Sequence, residues 1–215
     1  MKKILSVLFT CTVFYACAQS PHSVFGFKTA VSFNPSLVIG PDHTVMFGIE
    51  QRLKTKLALV LDAGYVFQSS YLNGEDVVKG ASGFNLRPGI KLYTKDEKRF
   101  YLQMQVFYKQ VNYKIYDWLG KSCVNEIPTY EQLQNFTYRK KTVSLNFMAG
   151  TLFRISEAII LELYEGAGVK IKDQKSTEAA SCYRNNDGGI LLNTFREHSV
   201  TPNLAIGIKM LVRIK

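Results

Sequence analysis

The sequence predicts an all-β protein, an eight-stranded antiparallel up-and-down transmembrane β-barrel with short periplasmic turns and long extracellular loops. Three observations predict it. Successive segments alternate bulky apolar residues with small or charged ones at a period of two, the spacing that puts neighbouring side chains on opposite faces of a strand. The links between these segments alternate short and long, as they do in outer-membrane barrels. No apolar run reaches the roughly 18–20 residues of a membrane-spanning helix. A barrel passes that test unseen, because its lipid-facing and lumen-facing residues alternate.

The closing strand, 201–215, shows the pattern best. Leu204, Ile206, Ile208, Met210, Val212 and Ile214 share one face, while Ala205, Gly207, Lys209, Leu211 and Arg213 share the other. In chain order, the first strand (23–33) sets Phe25, Phe27, Thr29, Val31 and Phe33 against Val24, Gly26, Lys28, Ala30 and Ser32. A loop with Pro35, Gly40 and Pro41 follows over 34–43. The second strand (44–53) faces Val45, Phe47, Ile49 and Leu53 outward and Met46, Gly48, Glu50 and Arg52 inward. A tight link at 54–56 leads to the third, with Leu57, Leu59, Leu61, Ala63, Tyr65 and Phe67 outward and Asp62 and Gly64 inward.

After a polar segment over 68–82, the fourth strand (83–93) sets Phe84, Leu86, Ile90 and Leu92 against Asn85, Arg87, Gly89 and Lys91. Pro88 cannot donate to a ladder and predicts a kink there. A charged turn over 94–98 precedes the fifth strand, which starts at Arg99 with Leu102, Met104, Val106 and Tyr108 outward. Its extended character runs on to Ile115, beyond the roughly 9–11 residues of one span, so the excess projects past the bilayer. A long loop is expected over 116–138, then a sixth strand (141–155) with Val143, Leu145, Phe147, Ala149, Thr151 and Phe153 outward.

Ser156-Glu157 makes a hairpin turn into the seventh strand (158–172), with Ile159, Leu161, Leu163, Ala167, Val169 and Ile171 outward. Glu165 breaks its apolar face and calls for either a bulge or a neutral carboxyl. The last and longest loop covers 173–200. Short and long links thus alternate without exception once both chain ends are placed at the periplasmic side.

The N-terminus reads as a secretory signal over 1–18: Lys2 and Lys3, an apolar stretch over 4–15, then Ala16-Cys17-Ala18 before Gln19. Lipid attachment at Cys17 is the alternative, against which Phe14 and Tyr15 are bulky where such a site wants leucine and small residues. The mature domain is 19–215. Loss of Lys2 and Lys3 lowers Lys plus Arg from 27 to 25 against 17 acids, a net charge of +8. The basic residues are scattered through strands and turns with no nucleic-acid module, so nucleic acid is not an expected partner. The expected surroundings are the outer-membrane lipid of a Gram-negative cell, with a ligand or protein partner at the outer loops.

Alternation alone does not say which face is outside, since a soluble lipocalin-like barrel alternates too. Bulk decides. An eight-stranded interior is only just wide enough for its own side chains. One face here carries about five large apolar residues per strand, while the other carries Gly26, Gly48, Gly64, Gly89, Gly150, Gly166, Gly168 and Gly207 between charges. The bulky face therefore belongs outside. Phe33, Tyr65, Phe67, Tyr93, Phe100 and Phe153 near strand ends fit aromatic girdles.

The chain resembles small bacterial outer-membrane β-barrels of the OmpA/OmpX-like and PorT-like kind over essentially the whole mature region. The residues that carry the resemblance are Ala16-Cys17-Ala18-Gln19, Leu86-Arg87-Pro88-Gly89-Ile90-Lys91-Leu92-Tyr93 and the 161–169 stretch LELYEGAGV. Many members end in an aromatic residue, whereas this chain ends Arg213-Ile214-Lys215.

The inward charges are Lys28, Arg52, Arg87, Lys91, Arg154, Lys170, Lys209 and Arg213 against Glu50, Asp62 and Glu162. Buried charges must pair, so these are expected to form a network that plugs the lumen. An incomplete plug would leave a narrow basic path for small anions. Cys123 and Cys182, an even pair in an exported chain, read as a disulfide between outer loops. Tyr116, Trp118, Tyr130 and Tyr183 are the candidate loop contacts. No cofactor or metal spacing is present, and His22, His43 and His198 form no recognisable triad beyond the neighbours Glu197, His198 and Ser199. The functional expectation is a structural or surface-interaction barrel without catalysis. A small pore and a lipid-modifying hydrolase are the alternatives.

Overall fold

The computed structural model describes residues 28–40, 42–54, 56–69, 78–94, 99–125, 127–176, 181–182 and 198–214. The signal segment, Phe25 and Phe27 of the first predicted strand, and Tyr183 lie outside these residues. Among the described residues nine strands are formed: β1 (Thr29–Phe33), β2 (Asp42–Arg52), β3 (Leu57–Ser69), β4 (Val78–Tyr93), β5 (Phe100–Lys121), β6 (Tyr130–Arg154), β7 (Ile159–Ser176), β8 (Ser181–Cys182) and β9 (His198–Ile214). A 3₁₀ turn, Pro35–Leu37, follows β1. Eight of the strands close an antiparallel up-and-down ring in the order β1, β2, β3, β4, β5, β6, β7, β9, with β9 returning to β1. The two-residue β8 lies outside that ring and pairs with Gly120 and Lys121 at the far end of β5.

Period-two alternation fixes which face is which, because a one-residue slip would exchange them. The bulky apolar face is the exposed one: Phe147 is 61% exposed, and Phe47, Ile49, Leu61, Leu102 and Ile208 are exposed with it. Ala30, Ser32, Glu50, Asp62, Lys91, Asn146, Glu162 and Lys209 are buried inside. Glycines make room where large inward side chains cross. Tyr101 lies over Gly150, Tyr164 over Gly207 and the Asp62 carboxylate over Gly48, each pair directly opposed on adjacent strands. A Cβ at any of the three glycines would collide with that side chain.

Several expectations are corrected. The predicted loop over 116–138 is mostly strand, since β5 and β6 pair without interruption from Phe100↔Thr151 to Lys121↔Tyr130. Among the described residues between them, 122–125 and 127–129 lie outside the two strands, with Ser122 and Asn125 at positive φ. Pairs such as Tyr116↔Asn135 and Asp117↔Gln134 continue the ladder where the apolar alternation that marks a strand has ended. The other long links also shorten: β2 begins at Asp42, β4 at Val78 and β9 at His198, and β7 runs to Ser176. Pro88 introduces no register shift. Its pairing with Leu61 is continuous, and on the β5 side the ladder lapses at Arg87 and Pro88 and resumes in the same register. No bulge relieves Glu165, which pairs in register with Ala149 and Ile206 and is exposed on the apolar face. Around it Ala149, Gly166 and Ala167 form part of a shallow outer depression of about 830 Å³. Tyr93, expected in a girdle, is buried in the lumen, because Leu92 beside it takes the outer face.

The seam between β1 and β9 is short. β1 has five residues against seventeen in β9. Above the Phe33↔Met210 pair the wall is continued by the 34–37 turn, where Ile208 N–H donates to Ser36 Oγ at 3.3 Å and Asn34 N–H to the Met46 carbonyl at 3.1 Å. Backbone groups alternate sides along a strand, so the even-numbered residues of β9 point toward this seam. Pro202 occupies one of those even positions, at an edge where a missing N–H costs nothing.

Candidate functional site

The lumen is filled in layers. At the short-turn end an apolar floor is built from Ala30, Ala58, Leu152, Ile160 and Leu211 with the rings of Tyr93 and Tyr101. Above it lies a charge network. Lys91, 0% exposed, donates to Glu50 Oε2 at 2.8 Å and to Glu162 Oε2 at 2.7 Å. The other carboxylate oxygens accept from tyrosines, Glu50 from Tyr93 and Glu162 from Tyr101. The Lys91 ammonium also lies 4.4 Å from the Tyr101 ring centre. Lys209 donates to Asp62 Oδ2 at 2.7 Å, and Ser32 Oγ donates to Asp62 Oδ1 at 3.2 Å. Asn34 Nδ2 donates to the Tyr164 hydroxyl at 3.0 Å.

A cavity of about 10 Å³ remains among Asn34, Asp62, Arg87, Gln105, Glu162 and Lys209, room for about one water. The Arg87 guanidinium stacks over Phe107 at 4.8 Å, and that of Arg52 over Tyr93 at 4.3 Å.

Of the inward charges read from the sequence, Glu50, Asp62, Lys91, Glu162 and Lys209 converge on this network, and Arg87 lines its cavity. Lys28, Arg154 and Arg213 do not. Lys28 is exposed, Arg154 Nε donates to the Ser156 carbonyl at 3.1 Å, and Arg213 Nη1 donates to the Glu157 carbonyl at 3.0 Å. Both arginines cap the short turn between β6 and β7 (155–158). Tyr164 follows from the inward parity it shares with Glu162, whereas sequence reading missed Tyr93 and Tyr101 as lumen groups, although their parity opposite Leu92 and Leu102 marks them.

Lys170 belongs to a different layer, at the mouth, the end of the barrel from which the long links leave. There Lys109 pairs with Asp42 Oδ2 at 2.6 Å, and Asp42 Oδ1 accepts from Ser69 Oγ at 2.6 Å and from the Tyr113 hydroxyl at 3.1 Å. The apolar belt has ended at this height, since Gln110, Asn112, Arg139, Lys141 and Asp173 take the outward positions. Burial opposes ionisation of Asp42, but Lys109, the Ser69 hydroxyl and Lys140 outweigh it and hold its carboxyl below the ordinary value. Burial and the neighbouring cations Lys172, Lys109 and Lys170 push Lys140 down to about 7 against the attraction of Asp42. Burial, then Lys170, pushes Lys172 down to about 8.

Beyond the mouth, β5 and β6 project as a hairpin. Its inner side carries a second apolar cluster, with Val111, Tyr113, Ile115, Leu119, Phe136 and Tyr138. Trp118, 56% exposed, sits opposite Leu133 on the outer side, with Tyr116, Tyr130, Val124 and Ile127 also exposed toward the tip. Cys123 is disulfide-bonded at this tip, and β8 brings the backbone of Cys182 opposite Gly120, three residues from it. His43 Nδ1 lies 2.6 Å from the Val38 carbonyl with its ring against Phe67. Among the described residues no cluster of His, Cys, Asp and Glu could hold a metal ion. Compared with known protein families, with curated proteins and with solved structures, the chain has no match.

Proposed function

We propose that this chain is an integral outer-membrane β-barrel of the small OmpA/OmpX-like and PorT-like kind, with a closed lumen and a surface-interaction role carried by its projecting β5–β6 hairpin. The observation that carries the reading is the inversion of its faces. Large aliphatic and aromatic side chains ring the outside, while ion pairs and tyrosine hydroxyls fill the interior. Such a surface in water would be one continuous apolar patch far above the few hundred Å² that soluble monomers expose. In hydrocarbon it is the stable arrangement, because a closed ring pairs its backbone groups internally. The plugged lumen argues against the pore reading, since the cavity at its centre holds about one water. The hairpin tip offers Trp118 and Tyr130, residue types that dominate protein contacts, on a scaffold two strands wide.

Fractionation of expressing cells tests the membrane reading. The protein is expected in the carbonate-resistant outer-membrane fraction and to migrate faster on gels unboiled than boiled. Recovery in the soluble periplasm with no heat-dependent shift overturns it. Trypsin added to intact cells tests the hairpin: cleavage at Lys121 is expected, and complete protection in surface-intact cells that are digested after lysis refutes the outward orientation.

A further inference from the structure

The inner wall at the mouth carries a pattern that the lumen plug does not use. Three strands lie side by side there in direct register. Thr142 of β6 faces Lys172 of β7, which faces Ser199 of β9, and two residues deeper Ser144 faces Lys170, which faces Thr201. Each of two lysines is thus flanked on both sides by hydroxyls, on strands about 4.8 Å apart. The lysines themselves are two residues apart on one face, about 6.8 Å along the strand, where like charges repel.

Both lysine side chains turn inward, and Lys172 is only 4% exposed. Thr142 and Ser144 are buried. The Ser199 Oγ and Thr201 Oγ1 atoms are buried without a hydrogen-bond partner among the described residues. The floor below is closed by Asn146, whose Oδ1 lies over Gly168, the next position on β7, and accepts from Asn203 Nδ2 at 2.7 Å. The nearby carboxylate of Asp42 is already committed to Lys109, Tyr113 and Ser69.

A protein rarely sets a buried lysine and a half-buried one beside two buried, idle hydroxyls without something to meet them. We infer that Lys170, Lys172, Ser199 and Thr201 form a binding site for a tetrahedral oxyanion of the phosphate class, with the ammonium groups supplying charge and the hydroxyls donating to its oxygens. Thr142 and Ser144 border the site on β6. The ligand enters from the mouth and goes no deeper, because the Lys91 and Lys209 networks close the lumen beneath it. A phosphate free in solution and the phosphate of a lipid headgroup at the bilayer rim present the same chemistry to these residues. The site does not depend on the membrane reading, since it stands on the mouth's own side chains.

The test is calorimetric titration of the full chain, folded in a zwitterionic detergent, with inorganic phosphate and with sulfate. A parallel arm uses nanodiscs of phosphatidylcholine with or without phosphatidic acid. Saturable binding is expected, weakened at least tenfold in Lys170→Gln/Lys172→Gln and severalfold in Ser199→Ala/Thr201→Val, with heat-dependent gel migration retained as the check on folding. Binding of inorganic phosphate to the wild type assigns a soluble ligand. Retention of phosphatidic acid alone, lost in the lysine variant, assigns a headgroup. Absence of both, or binding that the folded double-lysine variant keeps in full, overturns the inference.

Discussion

Replacing Lys91 with methionine removes the one cation that holds two carboxylates at the centre of the lumen. Its contacts with Glu50 and Glu162 measure 2.8 and 2.7 Å. At an effective dielectric of about 20, each is worth about 6 kcal/mol of gross attraction, against at least about 3 kcal/mol of repulsion, since the two contacted oxygens are no more than about 5.5 Å apart. Most of the remaining gain is offset by desolvating three ions, so the pair is of little net benefit to an intact barrel. Removing the lysine alone is different, because two buried carboxylates stay behind with only tyrosine donors. The expected loss is about 3–5 kcal/mol, the range for breaking a buried ion pair from one side. The triple variant Glu50→Gln/Lys91→Met/Glu162→Gln leaves no charge, keeps acceptors for Tyr93 and Tyr101, and is expected within about 2 kcal/mol of the parent. Urea unfolding in lipid vesicles, followed by the loss of fast gel migration, measures both. Trp118 is unsuited as the probe, because it reports on the hairpin and not on the lumen. If Lys91→Met costs less than about 1 kcal/mol, or the triple variant is as damaged as the single, the assignment of the cost to unpaired buried charge fails.

Gly150→Ala drives a methyl into the Tyr101 ring and displaces its hydroxyl from Glu162, at an expected cost of about 1–3 kcal/mol in the same unfolding assay. Glu165→Leu removes a carboxylate from the apolar belt and is expected to stabilise the barrel in bilayers by about 1–3 kcal/mol; no gain in bilayers would count against lipid on that face. Lys172 binds its proton up to pH 10.5 when unfolded but releases it at about 8 when folded, so raising the pH across that window favours the folded state. Lys172→Met should flatten that rise. Sulfate stays doubly charged across the same window, so its affinity should fall as pH climbs through about 8 if Lys172, flanked by Lys170, Lys140 and Lys109 and by Asp42, binds it charged. A tryptophan in place of Phe147 should be quenched by brominated lipid, while Trp118 should respond to acrylamide in water instead; the reverse pattern would invert the faces.

Much of this architecture is legible from one residue in two. The outward rows of β2, β3 and β9 follow from alternation alone, and parity likewise points Glu50, Asp62, Lys91, Glu162 and Lys209 inward. Parity does not tell which of those charges meet, because the shear of a closed ring decides which residues share a height. Arg154 and Arg213 share the inward parity of Lys209, yet they sit past the ends of the buried layer. The β5–β6 hairpin escaped because its strands lose the apolar row once they leave the belt: Tyr116↔Asn135 and Asp117↔Gln134 read as loop until the partner strand is known. The same blindness hid the mouth. Ser199 lay in an expected loop, and Lys172 at a strand end gave no sign that it would stand between two hydroxyls.

The brevity of β1 has a mechanical consequence. A cylinder whose staves are joined along their full length has no preferred place to split, but this one has a joint of five residues between two long-edged neighbours. The braces lie across that joint: Lys91 ties Glu50 on one side to Glu162 on the other, and Lys209 reaches over it to Asp62. Together these ties act as a latch on the joint, and pulling the two ends of the chain apart should open the wall there first.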